Sequence, residues 1–267
     1  ERSEQRDNLL KVLGASPFLA GILCRRPVFF DDLFICDEFG IAKDEERMLS
    51  ELRSRIPDTA DFPELQKALR VYKYREILRI GCRDLCSLAS LEEVTAELTH
   101  LAAATLQRAC EVCQELLNSE YGKPLLEAKA GEQPGQAELT VLGMGKFGGC
   151  ELNFSSDIDV IYFYSSDRGQ TTGVADPSGS RHNSVPVHKY FVRLAEMLTK
   201  AIGQVTEDGF VFRVDLRLRP EGNSGEMANS LLAAEIYYES WGQSWERSAM
   251  LKARPVAGSK SLGETLL

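Results

Sequence analysis

The segment Val141-Leu-Gly-Met-Gly-Lys-Phe-Gly-Gly149, followed by Ser155-Ser-Asp-Ile-Asp159, restricts the fold more than any other part of this 267-residue chain. Leu139, Val141 and Leu142 read as a short strand running into Gly143. Ile158 to Tyr164 read as a second, apolar and aromatic-rich strand. Gly143, Gly145, Gly148 and Gly149 let the backbone turn sharply and come close to a ligand. Their spacing also matches GxGxxG, the dinucleotide fingerprint, in which the glycines open a long crossover helix and an acid ends the next strand. Too few residues separate these two strands for such a helix, and Asp157 and Asp159 stand at the start of the second strand. The dinucleotide reading is therefore set aside.

Asp157 and Asp159 carry the sharper chemical signal. Residues two apart on a strand face the same way, so their carboxylates converge. Like charges so placed raise one pKa unless a cation neutralises them, and hard divalent ions favour such oxygen-only surroundings. A third acid, Asp215, lies in an expected strand from Phe210 to Leu218, where alternation puts Asp215, Arg217 and Arg219 on one face. That arrangement offers a carboxylate for metal and two guanidiniums for phosphate. Main-chain N–H groups at the glycine turn suit a phosphate, and Lys146 adds a point charge. A lone Asp-x-Asp is more often a solvated turn. Joined to a glycine turn, an apolar strand and a third acid, it points to two-metal phosphoryl transfer at an α-phosphorus.

Around this centre the chain reads as three regions: a helical region over 1–136, a core of mixed sheet and helices over 137–228, and the start of another helical region over 229–267. Ser16 with Pro17, Asp61 with Glu64, and Ser90 with Glu93 are helix-start signatures, the last opening one long helix. Residues 122–136 read as a polar connector, and 167–186, rich in Gly, Ser, Thr and Asn, as a mobile loop. Glu246, Arg247, Lys252 and Arg254 form a charged run on an expected helix, a solvated face or part of a site rim. The seven cysteines, Cys36 and Cys150 among them, complete no zinc set and read as reduced packing groups in a cytoplasmic protein. Net charge −9 argues against broad nucleic-acid binding, and no apolar run approaches membrane-span length. The chain begins at Glu1, within helical sequence, and reads as part of a longer protein.

Several motifs resemble the bifunctional glutamine synthetase adenylyltransferase/adenylyl-removing enzymes. They are Gly143-Met-Gly-Lys-Phe-Gly-Gly149, Glu151-Leu-Asn-Phe-Ser-Ser-Asp-Ile-Asp159, Val214-Asp-Leu-Arg-Leu-Arg-Pro220 and Trp245-Glu-Arg-Ser-Ala-Met-Leu-Lys-Ala-Arg254. Upstream, Gly14-Ala-Ser-Pro-Phe-Leu-Ala20 and Leu78-Arg-Ile-Gly-Cys-Arg-Asp-Leu85 extend the likeness over nearly the whole chain. The resemblance implies an α+β, polymerase-β-like nucleotidyltransferase fold. It implies Asp157, Asp159 and Asp215 as catalytic metal ligands for Mg²⁺ (two ions) or Mn²⁺. Gly145, Lys146, Gly148, Gly149, Ser156, Arg217 and Arg219 would then lie along the nucleotide phosphates. Implied partners are glutamine synthetase, ATP or ADP, phosphate, and a PII-type signal protein and glutamine as regulators. The spelling Gly-Met-Gly-Lys, Asn-Phe and Trp-Glu-Arg favours the half that removes AMP by phosphorolysis and releases ADP. The adenylylating half, which attaches AMP from ATP, and a catalytically silent regulatory copy are the alternatives. Anionic phosphate as nucleophile would need no strong base, which agrees with the lack of a histidine in these motifs.

Overall fold

A computed structural model describes residues 2–35, 40–128 and 133–267; Cys36 and residues 129–132 of the expected connector lie outside them. The helical first half starts where its capping residues place it. Helices α1 (Arg2–Ala15), α2 (Pro17–Arg25) and the short α3 (Val28–Phe30) come first. Ser16 Oγ accepts the Leu19 N–H at 3.3 Å, and Pro17 supplies a preset φ where no N–H partner is needed. Helix α4 (Glu45–Arg55) is capped by Asp44. Reciprocal capping boxes, Asp61 with Glu64 and Ser90 with Glu93, open α5 (Phe62–Leu85) and the 31-residue α6 (Leu91–Tyr121). Helix α6 stops at Gly122, whose φ of +74° favours glycine.

Beneath these caps α5 and α6 are joined by buried charge. Arg79 donates to Glu76 and Glu97 at 2.6 Å each, Lys43 reaches Glu76 at 3.0 Å, and Arg83 also pairs with Glu97. Burying such groups is tolerable because each finds an opposite charge, and the pattern fixes which turns of the helices face one another.

A mixed sheet follows, with β2 (Leu139–Gly143), β3 (Ile158–Tyr164), β7 (Val214–Asp215), β8 (Ala228–Ser230) and β9 (Arg254–Gly258). Strand β2 runs antiparallel to both β3 and β9. The other edge of β3 is shared: β7 pairs in parallel with its first residues and β8 in parallel with its last. Between β2 and β3 stands only α7 (Gly145–Gly148), a single turn, so no crossover helix exists and the dinucleotide fold is excluded on topology. Helix α8 (Val187–Gly203) buries Phe191, Leu194, Leu198 and Ile202 on one side. One continuous core takes in Leu101 and Val112 of α6, Val141 of β2, Tyr162 of β3 and Leu194 of α8. The expected α+β architecture, a mixed sheet flanked by helices, is what forms. Among the described residues no single helix is long and apolar enough to cross a membrane.

Five expectations need correction. Residues 122–136 and 167–186 are not merely a connector and a loop: β1 (Pro124–Leu126) pairs with β4 (Gly169–Thr171), and β5 (Val174–Ala175) pairs with β6 (Arg181–His182). Glycine and serine hid these strands because they are two or three residues long and bury little. The strand expected over 210–218 survives only as Val214–Asp215, since β3 offers β7 just two register partners. After helices α9 (Leu231–Ser240) and α10 (Ser244–Ala249), residues 254–258 return as β9 before α11 (Lys260–Leu266), so the segment after 229 completes the sheet. The charged run is accordingly split. Glu246 is buried and accepts the Tyr237 hydroxyl, Lys252 sits in a 3₁₀ turn, and Arg254 opens β9.

Candidate active site

Strands β3 and β7 bring the acids together. Their parallel register pairs Ile158 with Val214 and Asp159 with Asp215, so the two carboxylates leave the sheet on the same face. Asp157 precedes β3 by one residue, two positions from Asp159. The glycine turn is fixed against the same point, where the Met144 N–H donates to the Asp159 carbonyl at 2.9 Å. Gly145 has φ +52°, and a Cβ there would lie 3.2 Å from Asp159 Oδ2. The turn is therefore shaped to leave room beside that carboxylate.

The electrostatics follow from this crowding. Burial, and then the charges of Asp215 and Asp157, raise the Asp159 pKa. Asp215 moves the other way, because Arg217 grips it. The Arg217 Nε reaches both carboxylate oxygens at 3.0 and 2.8 Å, and its backbone N–H donates at 2.9 Å. Arg213 Nε holds Asp157 at 2.5 Å. Both guanidiniums are solvent-facing, with side-chain exposures of 64% for Arg213 and 74% for Arg217, so each can be displaced at little cost in packing.

These residues fit a divalent cation. The donors are all carboxylate oxygens, the half-buried Asp159 is destabilised by two like charges, and the Gly145 cradle leaves the approach open. Among the described residues no three His, Cys, Asp or Glu side chains converge tightly enough to cage a metal by themselves. That agrees with how Mg²⁺ is usually held, by one or two carboxylates together with substrate phosphates.

The remaining expected residues divide. Lys146 is exposed on α7. A Cβ on Gly148 would lie 2.0 Å from the Lys252 carbonyl oxygen and 2.4 Å from that of Gly143, so glycine is demanded there by backbone packing. Gly149 is less confined, its nearest neighbours being the Lys252 and Glu151 side chains at 3.3 and 3.4 Å. Ser156 Oγ donates to Asn153 Oδ1. Arg219 does not share a strand face with Asp215, because β7 ends at Asp215. Its guanidinium instead donates to the carbonyls of Gly225, Leu216 and Asn223 and braces the following loop.

Sequence reasoning passed over Arg213, although it neighbours Asp215 and could have been noticed as the opposite-charge partner for Asp157. It also missed the Lys252 Nζ contacts to both Glu151 oxygens at 3.1 Å, which tie the segment before β9 to the glycine turn. Nothing in the local pattern links positions 101 residues apart.

The family model described as glutamate-ammonia ligase adenylyltransferase (GlnE) matches residues 6–267. A protein of Pseudomonas aeruginosa named bifunctional glutamine synthetase adenylyltransferase/adenylyl-removing enzyme is 39% identical over 265 residues, covering 99% of this chain and 26% of that protein. Proteins of the same name in Nitrosococcus oceani and Shewanella loihica are 39% and 38% identical, over 97% and 94% of this chain. The chain spans about a quarter of the length of these curated relatives. The expectation of an AMP-removing half is corrected by the family match, whose description names the adding activity. The physical reason is that one set of carboxylates and phosphate contacts can serve displacement at the α-phosphorus in either direction, so motif spelling did not fix which one. The chain belongs to the glutamate-ammonia ligase adenylyltransferase family.

Proposed function

We propose that this chain transfers AMP from ATP to a tyrosine of glutamine synthetase. The phenolic oxygen attacks the α-phosphorus, the bond from that phosphorus to the α,β-bridging oxygen breaks, pyrophosphate leaves and the phenolic proton is lost. The observation that carries this reading is the register pairing of Asp159 with Asp215 beside the Gly145 turn, in a chain of this family.

Asp157, Asp159 and Asp215 would hold the divalent ions, Mg²⁺ in the first instance. Bound there, such ions neutralise charge on the attacking and leaving oxygens of an in-line displacement. The chain's own residues orient the nucleotide. The Gly145 N–H and the Lys146 ammonium face its phosphates, with Ser156 beside Asp157, whereas the N–H groups of Gly148 and Gly149 donate within the turn to the Met144 and Gly145 carbonyls. Arg213 and Arg217 exchange their carboxylate partners for phosphate oxygens as the substrate arrives, so positive charge is already in place for the developing anion. Arg219 holds the loop that carries Arg217. The proposed setting is the cytoplasm. Glutamine and a PII-type signal protein are proposed as regulators of the longer protein in which such a segment resides.

Incubation with unmodified glutamine synthetase, α-labelled ATP and Mg²⁺ tests this. The expected outcome is label on the synthetase and release of pyrophosphate, both lost in Asp159→Asn. Labelling that persists unchanged in that variant would refute the site.

A further inference from the structure

A cavity of about 210 Å³ lies beside the acids, between the N-terminal helices and the sheet. Its walls are the rings of Phe18, Tyr74, Phe154, Phe210 and Phe212, with Lys73 among them. Ser155, Ser156 and Arg213 close the side toward Asp157, which Arg213 grips. Lys73 is only 7% exposed, and among the described residues no carboxylate or hydrogen-bond acceptor meets its ammonium. Its Nζ lies 4.0 Å from the centre of the Tyr74 ring and 5.2 Å from that of Phe210. Ring faces partly offset the lost hydration of a cation, but an ammonium has three N–H donors and ring faces give none of them a good acceptor. Such a group, buried in an aromatic box, is set to donate to something that enters the box.

We infer that this cavity is the subsite for the nucleobase of the nucleotide, with the aromatic rings receiving the flat purine and Lys73 donating to a ring nitrogen. The inference rests on the nucleotide reading above and deepens it. Aromatic walls pack well against a planar heterocycle, and purine nitrogens are the acceptors the ammonium lacks. Placement agrees as well. Arg213 both lines the box and pairs with Asp157, so the box adjoins the acids while none of them lines it. A nucleotide with its phosphates at Asp159 would span that separation, with Ser155 and Ser156 along the way.

The test compares ATP with inorganic tripolyphosphate, which carries the phosphates and no base. Equilibrium binding of each, with Mg²⁺, is measured on the unaltered chain, on Lys73→Met and on Phe154→Ala. Met preserves the length and apolar stem of Lys73, and Phe154 is partly exposed at the rim, so the second variant keeps the test decisive if the first folds poorly. The expected result is ATP affinity about tenfold weaker in Lys73→Met, as the loss of one charge-assisted hydrogen bond implies, with tripolyphosphate affinity unchanged. Phe154→Ala should weaken ATP in the same selective way. Unaltered ATP binding in the variants, or equal weakening of both ligands, overturns the base subsite and leaves the nucleotide reading intact. Failure of the unaltered chain to bind either ligand overturns the nucleotide reading itself.

Discussion

Asp159 and Asp215 stand side by side as register partners on two parallel strands, one carboxylate strained toward its protonated form and the other held ionised by Arg217. The asymmetry is what a cation site needs before its cation arrives: a charge to be relieved and a ligand already deprotonated. Substituting Asp159→Asn removes a like-charge contact. The variant should melt at a higher temperature than the unaltered chain when no divalent ion is added, while AMP transfer falls about a hundredfold or more. Thermal denaturation and initial-rate assays check both, and a lowered melting temperature would show that the carboxylate serves packing.

Arg217 gives a second, separable prediction. It neutralises Asp215 through a grip on both carboxylate oxygens that a metal ion held as proposed would displace. Arg217→Gln should therefore bind Mn²⁺ several-fold more tightly in the absence of nucleotide. Turnover should nevertheless fall, because the guanidinium is then missing from the phosphates. Calorimetric Mn²⁺ titration paired with kcat measurement distinguishes this split from simple damage, which would lower both.

The glycine turn predicts graded stability losses. At Gly145 an alanine must adopt φ +52° with its Cβ 3.2 Å from a carboxylate oxygen, a strain of about 1 kcal/mol. At Gly148 the added carbon would meet backbone oxygens at 2.0 and 2.4 Å, so the turn itself must move. Gly148→Ala should destabilise by about 1–3 kcal/mol, more than Gly145→Ala, as read from denaturant unfolding. The opposite order would mean that α7 is not packed against the Lys252 backbone.

Lys73 makes the pH prediction. Its folded pKa of about 8 lies below the ordinary 10.5, so the folded protein binds its proton less well than the unfolded chain. Below pH 8 the penalty for a buried ammonium is fully present, and stability from this group rises as pH climbs from about 8 toward 10.5. The difference corresponds to roughly 3 kcal/mol. The other titratable groups lining its cavity are the Tyr74 phenol and Arg213, neither of which supplies a counter-charge. Lys73→Met should stabilise the chain at pH 7, and the gain should shrink by pH 10. A gain independent of pH would mean that no ammonium is buried at Lys73.

Much of this was legible in the sequence, for reasons that are local. Ser16, Asp61 and Ser90 announce their helices because a cap is a contact over three residues. Asp157 and Asp159 announce a site because alternation along a strand is equally short-range. What stayed hidden depends on distant partners. Strand β9 forms only because β2 has a free edge, and Arg254 shows no strand signal strong enough to override the charged run around it. Pairing of β7 with β3 ends at Asp215, and beyond it Arg217 turns back onto Asp215 instead of sharing its strand face. Lys73 read as one more charged position on a helix, because its aromatic surroundings come from residues 18, 154, 210 and 212. Motif spelling does not encode the direction of displacement, because one geometry serves both directions.

The central claim is that Asp157, Asp159 and Asp215 jointly bind divalent cations with a nucleotide's phosphates. Electron paramagnetic resonance of Mn²⁺ titrated into the chain with and without ATP tests it most directly. The account predicts weak binding to the chain alone, strong ATP-dependent binding, and loss of that increment in Asp159→Asn and Asp215→Asn. Mn²⁺ binding that is indifferent to both substitutions would contradict it.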